Sequence, residues 1–156
     1  MSIATRVKWF IESHEVVYDL VPHPHTDSSR ATIEVARVPG HQLAKGVLLE
    51  DEAGYVIAVL PASRTIALRA LNEQLERRLE LAKEAELNDL FPDCETGAVP
   101  PFGSAYNIPT VIDDSLLNVA DVYFESGDHE DLVHMKGAAF LSLLAGSRHA
   151  QFGRYV

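Results

Sequence analysis

The chain has 156 residues, 47% hydrophobic and 23% charged, which suits one domain of ordinary size with a real core. No apolar run approaches the roughly 20 residues that span a bilayer. Met1 to Glu15, with Arg6, Lys8 and Glu12, lacks the apolar stretch and cleavage site of a secretory leader, so a cytoplasmic location is the expectation. The single cysteine, Cys94, excludes an intramolecular disulfide and a thiolate zinc site. The net charge of −10 opposes nucleic acid except at a local basic patch.

Along the chain, residues 2–13 are expected to form a helix, with Ser2 as cap and Val7, Phe10 and Ile11 at helical spacing. Val16 to Val21 alternates weakly and reads as a short strand. Pro22 to Ser29 is a loop, because two prolines remove donors and restrict their neighbours. Ser28 or Ser29 then caps a helix that runs to Arg37, before Pro39-Gly40. Leu43 to Glu50 and Tyr55 to Leu60 are strands flanking Asp51-Glu52-Ala53-Gly54, a hairpin signal in which glycine supplies a positive φ. Thr65 to Gln74 reads as a helix with Ile66, Leu68, Leu71 and Leu75 inward, Leu79 to Ala82 as a short strand, and Glu84 to Phe91 as a helix with Leu87 and Leu90 inward.

Pro92 to Asn107 holds three prolines and two glycines without periodicity; loops this long in a compact domain tend to be functional or disordered. Ile108 to Ile112, Val119 to Glu125 and Asp131 to Met135 read as strands, and Gly137 to Ala145 as a closing helix. Mixed strands and helices with hairpin-like neighbours predict an α+β fold with a mixed sheet rather than a doubly wound one.

Five segments, in order, carry a resemblance. Leu43-Ala44-Lys45 opens the first hairpin strand and Tyr55 to Ala62 forms the second. Gly97-Ala98-Val99-Pro100-Pro101 contains Gly-x-x-x-Pro, Val111 to Leu116 ends a strand with Asp113, and Gly127-Asp128-His129 precedes the last strand. Taken together the chain resembles the YbaK/prolyl-tRNA-synthetase-associated domain family over almost its whole length, in the form of a free-standing aminoacyl-tRNA editing domain. The resemblance implies a mixed-sheet pseudo-barrel with surrounding helices. It also implies deacylation of mischarged tRNA, most often proline tRNA carrying a small wrong amino acid such as alanine or cysteine. It implies no cofactor, no metal and no Ser or Cys nucleophile. By match, Lys45, Gly97, Pro101 and His129 are the expected catalytic residues. His23, Thr26, Gly46, Ala98, Val99, Pro100 and Asp113 are the expected substrate contacts. The expected partners are mischarged tRNA and an aminoacyl-tRNA synthetase.

The chemistry agrees with those roles. Ester hydrolysis needs the developing oxyanion held by donors, and backbone N–H groups of a glycine-containing loop can approach a ligand closely. Lys45 supplies charge-assisted hydrogen bonds to a phosphate or carbonyl. The chain departs from the family at Gly46, where many relatives carry Thr or Asn, so a side chain able to touch substrate is missing.

Plainer roles compete at each position. Lys45 reads also as a strand-edge lysine with its head in water. His23-x-His25, with His129, His134 and Asp113, has the residue types of a zinc site, against exposed loop histidines. Cys94 is a candidate nucleophile, but Asp93 and Glu95 should raise its pKa. Asp113-Asp114 reads as paired acids or, better, as the cap of the next turn. Arg64, Arg69, Arg77, Arg78 and Lys83 form the one candidate surface for a tRNA backbone. Glu73, Glu76 and Glu80 make the same stretch a balanced helix face. Trp9 and Phe10 are expected in the core. The alternative function is a non-catalytic module that binds a small ligand or a protein on the same fold.

Overall fold

The computed structural model describes residues 4–26, 28–94 and 98–155. Among them the elements are α1 (Thr5–Ser13), β1 (Asp19–Pro22), α2 (Ser29–Ala36), β2 (Ala44–Asp51), β3 (Gly54–Pro61), β4 (Arg64–Ile66), α3 (Leu68–Leu75), β5 (Glu80–Leu81) and α4 (Glu84–Leu90). After these come β6 (Thr110–Asp113), β7 (Asp121–Glu125), β8 (Asp131–Lys136), α5 (Gly137–Leu143), β9 (Arg148–Ala150) and β10 (Gly153–Tyr155).

The β2–β3 hairpin anchors the architecture. Its register runs from Asp51↔Gly54 at the turn to Ala44↔Pro61 at the open end. Gly54 has φ +130°, the left-handed backbone expected of that glycine, and Asp51 Oδ1 accepts from Ala53 N at 2.8 Å to close the turn. β3 is covered on both faces, which explains its unbroken apolar run. Ile57 and Val59 enter the main core, and Val56, Ala58 and Leu60 enter a second one beneath α3. β6 pairs parallel with β3 and β9 parallel with β6, giving the five-stranded order β5-β2-β3-β6-β9. A three-stranded antiparallel sheet, β1-β8-β7, lies alongside, and β4 pairs with β10 as a separate ribbon. A parallel bridge between Leu43 and Tyr123 ties the two larger sheets together. No sheet closes on itself among the described residues, so the mixed α+β fold is a pseudo-barrel with helices around it.

The main core is aromatic at its centre. Phe102 meets Phe124 edge-on at 5.1 Å and lies 5.4 Å from Phe10 and 5.5 Å from Phe140. Phe102 thereby pins the far end of the proline-rich loop to α1, β7 and α5.

Several expectations are corrected. The first helix starts at Thr5, not residue 2, and Ser2 lies outside the described residues. Phe10 is buried with Val7 and Ile11, but Trp9 is 71% exposed, because one helical step of about 100° turns it off the buried face. Thr65 and Ile66 are not helical: they form β4 by pairing with β10, and the helix begins at Leu68. β9 and β10 were not foreseen. Ser28 does cap α2, its Oγ accepting from Ala31 N at 3.1 Å.

Candidate active site

The site forms where β2 leaves the Leu43–Tyr123 bridge. Side chains alternate along a strand, so carrying that parallel register two residues on brings Lys45 and Glu125 to one face. The even positions of β7, Val122 and Phe124, enter the main core on the opposite face. Among the described residues, Ala44, Lys45, Gly46, Val47, Ala98, Val99 and Glu125 line a cavity of about 160 Å³ there.

The backbone of β2 is open at this point. Leu43 O accepts from Ala62 N on the β3 side, whereas Leu48 O accepts from Ala82 N on the other side. Alternation then turns the N–H and C=O of Gly46 away from β3, to the edge that faces the cavity. Gly46 is also a point of close approach: a Cβ there would lie 2.7 Å from Pro100 O and 3.0 Å from Val99 O. The missing side chain therefore leaves no gap. The carbonyls of the proline-rich loop occupy its place.

Behind the cavity wall lies a buried polar cluster centred on Glu125. Its Oε1 accepts from His23 Nε2 at 2.9 Å, and its Oε2 accepts from His129 Nδ1 at 3.0 Å and from Thr32 Oγ1 at 2.8 Å. Thr26 Oγ1 lies 2.6 Å from Thr32 Oγ1, and Thr26 N donates to His129 O at 3.3 Å. His25 stands edge-on to His129 with ring centroids 6.1 Å apart. Burial pushes the Glu125 carboxyl up, but the hydrogen bonds from His129, His23 and Thr32 outweigh it and hold the pKa below the usual carboxylate range. His129, 2% exposed, is not among the described lining residues and reaches the cavity edge through Glu125. Sequence reasoning missed Glu125 and Thr32; the Glu125-x-x-x-His129 spacing was the available signal.

The other expected site residues fall as follows. Lys45, Gly46, Ala98 and Val99 line the cavity, Pro100 contributes a carbonyl over Gly46, and Pro101 is buried next to Phe102 in the chain. Gly97 lies outside the described residues. His23 and Thr26 belong to the Glu125 cluster rather than to the cavity lining. Asp113 is elsewhere, at the end of β6. Its Oδ1 accepts from Phe152 N and Gly153 N at 2.8 and 2.7 Å, and its Oδ2 from the N–H and hydroxyl of Ser115. It caps the turn after β6, the plainer of its two expected roles, and fastens the chain before β10.

No group of three or more His, Cys, Asp or Glu among the described residues is arranged to hold a metal. His134 instead bridges Asp19 and Asp121 across the three-stranded sheet, at 2.8 and 3.0 Å. Cys94 is pushed up to about 12 by burial and the Asp93 charge, against a lowering hydrogen bond from Tyr106. Asp93 accepts from Tyr106 OH at 2.9 Å and from Arg6 N at 3.0 Å, which ties the start of the proline-rich loop to α1.

The arginine surface lies at the other end of β2, six residues from Lys45 or about 20 Å at about 3.3 Å per residue. Arg77 grips Asp51 with Nε and Nη2 at 2.5 and 2.6 Å, and Arg69 lies 3.6 Å from Glu73. Glu50, Asp51, Glu52, Glu76 and Glu80 share one open cavity with Arg77 and Arg78.

An aminoacyl-tRNA editing domain model matches residues 23–143. No curated protein matches the chain. Among solved structures, a candidate signal transduction protein from Marinobacter aquaeolei VT8 aligns with a TM-score of 0.79 at 20% identity. That alignment covers 95% of this chain but 30% of the other, so the chain spans under a third of that protein. A candidate trans-editing enzyme for prolyl tRNA synthetase aligns with a TM-score of 0.80 at 22% identity over 97% of this chain and 96% of its own. At these identities the structural likenesses show a shared fold. No helix among the described residues is long and apolar enough to cross a membrane. The family match takes in the hairpin, the Glu125 cluster and the last helix, and by it the chain belongs to the aminoacyl-tRNA editing domain family.

Proposed function

We propose that this protein is a trans-acting aminoacyl-tRNA deacylase. It hydrolyses the ester of a mischarged tRNA, proline tRNA carrying a small wrong amino acid such as alanine or cysteine. It works in the cytoplasm, with mischarged tRNA and an aminoacyl-tRNA synthetase as partners. The observation that carries this reading is the cavity of about 160 Å³ between Lys45, the open edge of β2 and the Ala98–Val99 loop. Its volume is well below the roughly 300 Å³ at which drug-sized pockets begin, so it suits a small side chain.

In this reading Lys45 holds the ester carbonyl or the terminal phosphate by charge-assisted hydrogen bonds. The Gly46 N–H, fixed on the open strand edge, and the loop N–H groups from Gly97 to Val99 are donors for the oxyanion that develops as water attacks. Asp93 fastens the start of the loop to α1 and Tyr106, and Phe102 fastens its finish in the main core. Exclusion of larger side chains follows from the fit of the loop against Gly46.

The net charge of −10 favours a second reading, a non-catalytic module that binds a small ligand or a protein. One experiment separates the two: release of amino acid from alanyl-, cysteinyl- and seryl-tRNAPro and from correctly charged prolyl-tRNAPro, with wild type and Lys45→Ala. The deacylase reading expects one mischarged species to be cleared, prolyl-tRNAPro to be spared, and the activity to vanish in a Lys45→Ala protein that still folds. No hydrolysis at enzyme concentrations near those of substrate sinks it in favour of the module.

A further inference from the structure

An aminoacyl ester carries an α-ammonium group beside its carbonyl near neutral pH, and an anionic backbone on its nucleotide side. The cavity offers one side chain of each opposite sign: Lys45 from β2 and Glu125 from β7. Glu125 is the one acid among the described lining residues. An ionised carboxylate has about four acceptor positions. Three are filled, by His23 on Oε1 and by His129 and Thr32 on Oε2. The remaining one is on Oε1, on a residue whose side chain is 9% exposed and which lines the cavity.

The donors also keep the group anionic. Burial alone would favour the protonated acid, but the three hydrogen bonds reverse that preference. His23, with Nδ1 on Pro24 O at 2.7 Å and Nε2 on Glu125 Oε1 at 2.9 Å, already brings positive charge to one side of the carboxylate, and the remaining acceptor position on Oε1 takes one more cationic N–H donor. The α-ammonium of the substrate is such a cation, and Lys45 in the same cavity takes the opposite end.

We infer that Glu125 is the receptor for the substrate's α-ammonium group, so the site selects aminoacyl esters with a free amine. This rests on the deacylase reading. His129, His23 and Thr32 are then positioning residues, which aim and ionise Glu125 without touching substrate.

The test compares the mischarged proline tRNA cleaved fastest by wild type with the same species N-acetylated on its α-amine. Wild type is expected to prefer the free amine by about tenfold or more, the scale of one charge-assisted hydrogen bond. In Glu125→Gln, the preference for the free-amine substrate collapses toward one. Because the preference is a ratio measured on one protein, a reduced folded fraction cancels. Equal cleavage of the two substrates by wild type overturns the inference without any variant, as does a Glu125→Gln protein that keeps the wild-type preference for the free amine. Hydrolysis of neither substrate by wild type removes the deacylase reading itself, and the inference with it.

Discussion

Gly46 and Pro100 meet backbone to backbone: a Cβ on Gly46 would stand 2.7 Å from the Pro100 carbonyl oxygen, closer than packed atoms tolerate. A backbone oxygen cannot rotate away, so Gly46→Ala must lift the loop off β2. Overpacking of this kind costs about 1–3 kcal/mol, readable as a lower urea midpoint. Displacement of the loop by an ångström is expected to lower kcat/KM by up to about a hundredfold. A Gly46→Ala protein with wild-type kcat/KM would show that the loop does not shape the site.

Cys94 lies beside the same loop, and its thiol is pushed up to about 12. The thiolate is therefore scarce at neutral pH, and alkylation by a maleimide at pH 8 should be much slower than for a free thiol of ordinary pKa. Cys94→Ser is expected to deacylate at the wild-type rate. A large loss of kcat in Cys94→Ser, with stability unchanged, would restore the thiol as a nucleophile.

The central hairpin was legible because two independent signals agreed there, an apolar run for β3 and a turn ending in Gly54. The cavity residues Lys45, Gly46, Ala98 and Val99 were legible through family motifs. Glu125 was not, because a glutamate at a strand end reads as solvated; His23, Thr32 and His129, brought to it by the fold, cover its carboxylate. β10 was hidden for a related reason. Gly153-Arg154-Tyr155 is too short to show a period, and its place is set by the distant Asp113 carboxylate and by pairing with β4, where Arg64 stacks on Tyr155 at 4.1 Å. The same pairing turned Thr65 and Ile66 from the expected helix into a strand.

The arginines near the hairpin turn are occupied by acids. Arg77 is committed to Asp51 in a two-point contact, and five carboxylates share its surroundings. Arg77→Ala is therefore expected to lower stability while leaving the salt dependence of tRNA binding unchanged. An arginine on a phosphate would instead reduce the slope of log K against log salt by about one. Filter binding across a salt series decides the matter, and a reduced slope would place RNA on this surface.

Asp113 offers a test of a fastening role against a substrate role. Asp113→Ala leaves the buried N–H groups of Phe152 and Gly153 without their acceptor, at about 2–6 kcal/mol for two such donors. Urea unfolding should show that loss, and kcat/KM per folded molecule should hold. Burial raises the Asp113 pKa, but the hydrogen bonds from Ser115, Gly153 and Phe152 lower it further, to a net value below the usual 3.8. Its contribution is thus present above pH 3.8 and lost as acid titrates the folded carboxylate. A fall in kcat/KM with stability unchanged would make Asp113 a substrate contact.

His134 joins all three strands of the smaller sheet, with Nδ1 facing Asp19 on β1 and Nε2 facing Asp121 on β7. Both carboxylates only accept, so both ring nitrogens must carry protons and the ring is cationic when both bonds are made. Burial pulls its pKa down, but hydrogen bonds to Asp121 and Asp19 outweigh this and raise it above 6.5. Asp121 is lowered below 3.8 by hydrogen bonds from His134 and Lys136, against burial. A raised histidine gives stability that is complete below its unfolded pKa and is lost as pH rises through the folded one. A lowered carboxylate gives stability lost as pH falls through its folded pKa. The triad therefore stabilises most between 3.8 and 6.5. Urea unfolding of wild type and His134→Asn across pH should show a difference that is largest in that window and shrinks on both sides. On the alkaline side the loss should appear first as faster hydrogen exchange in β1, which hangs on this sheet only through β8. A wild-type-to-variant difference that stays constant with pH would mean that His134 acts by packing on Tyr123, whose ring it stacks at 4.6 Å, and not by charge.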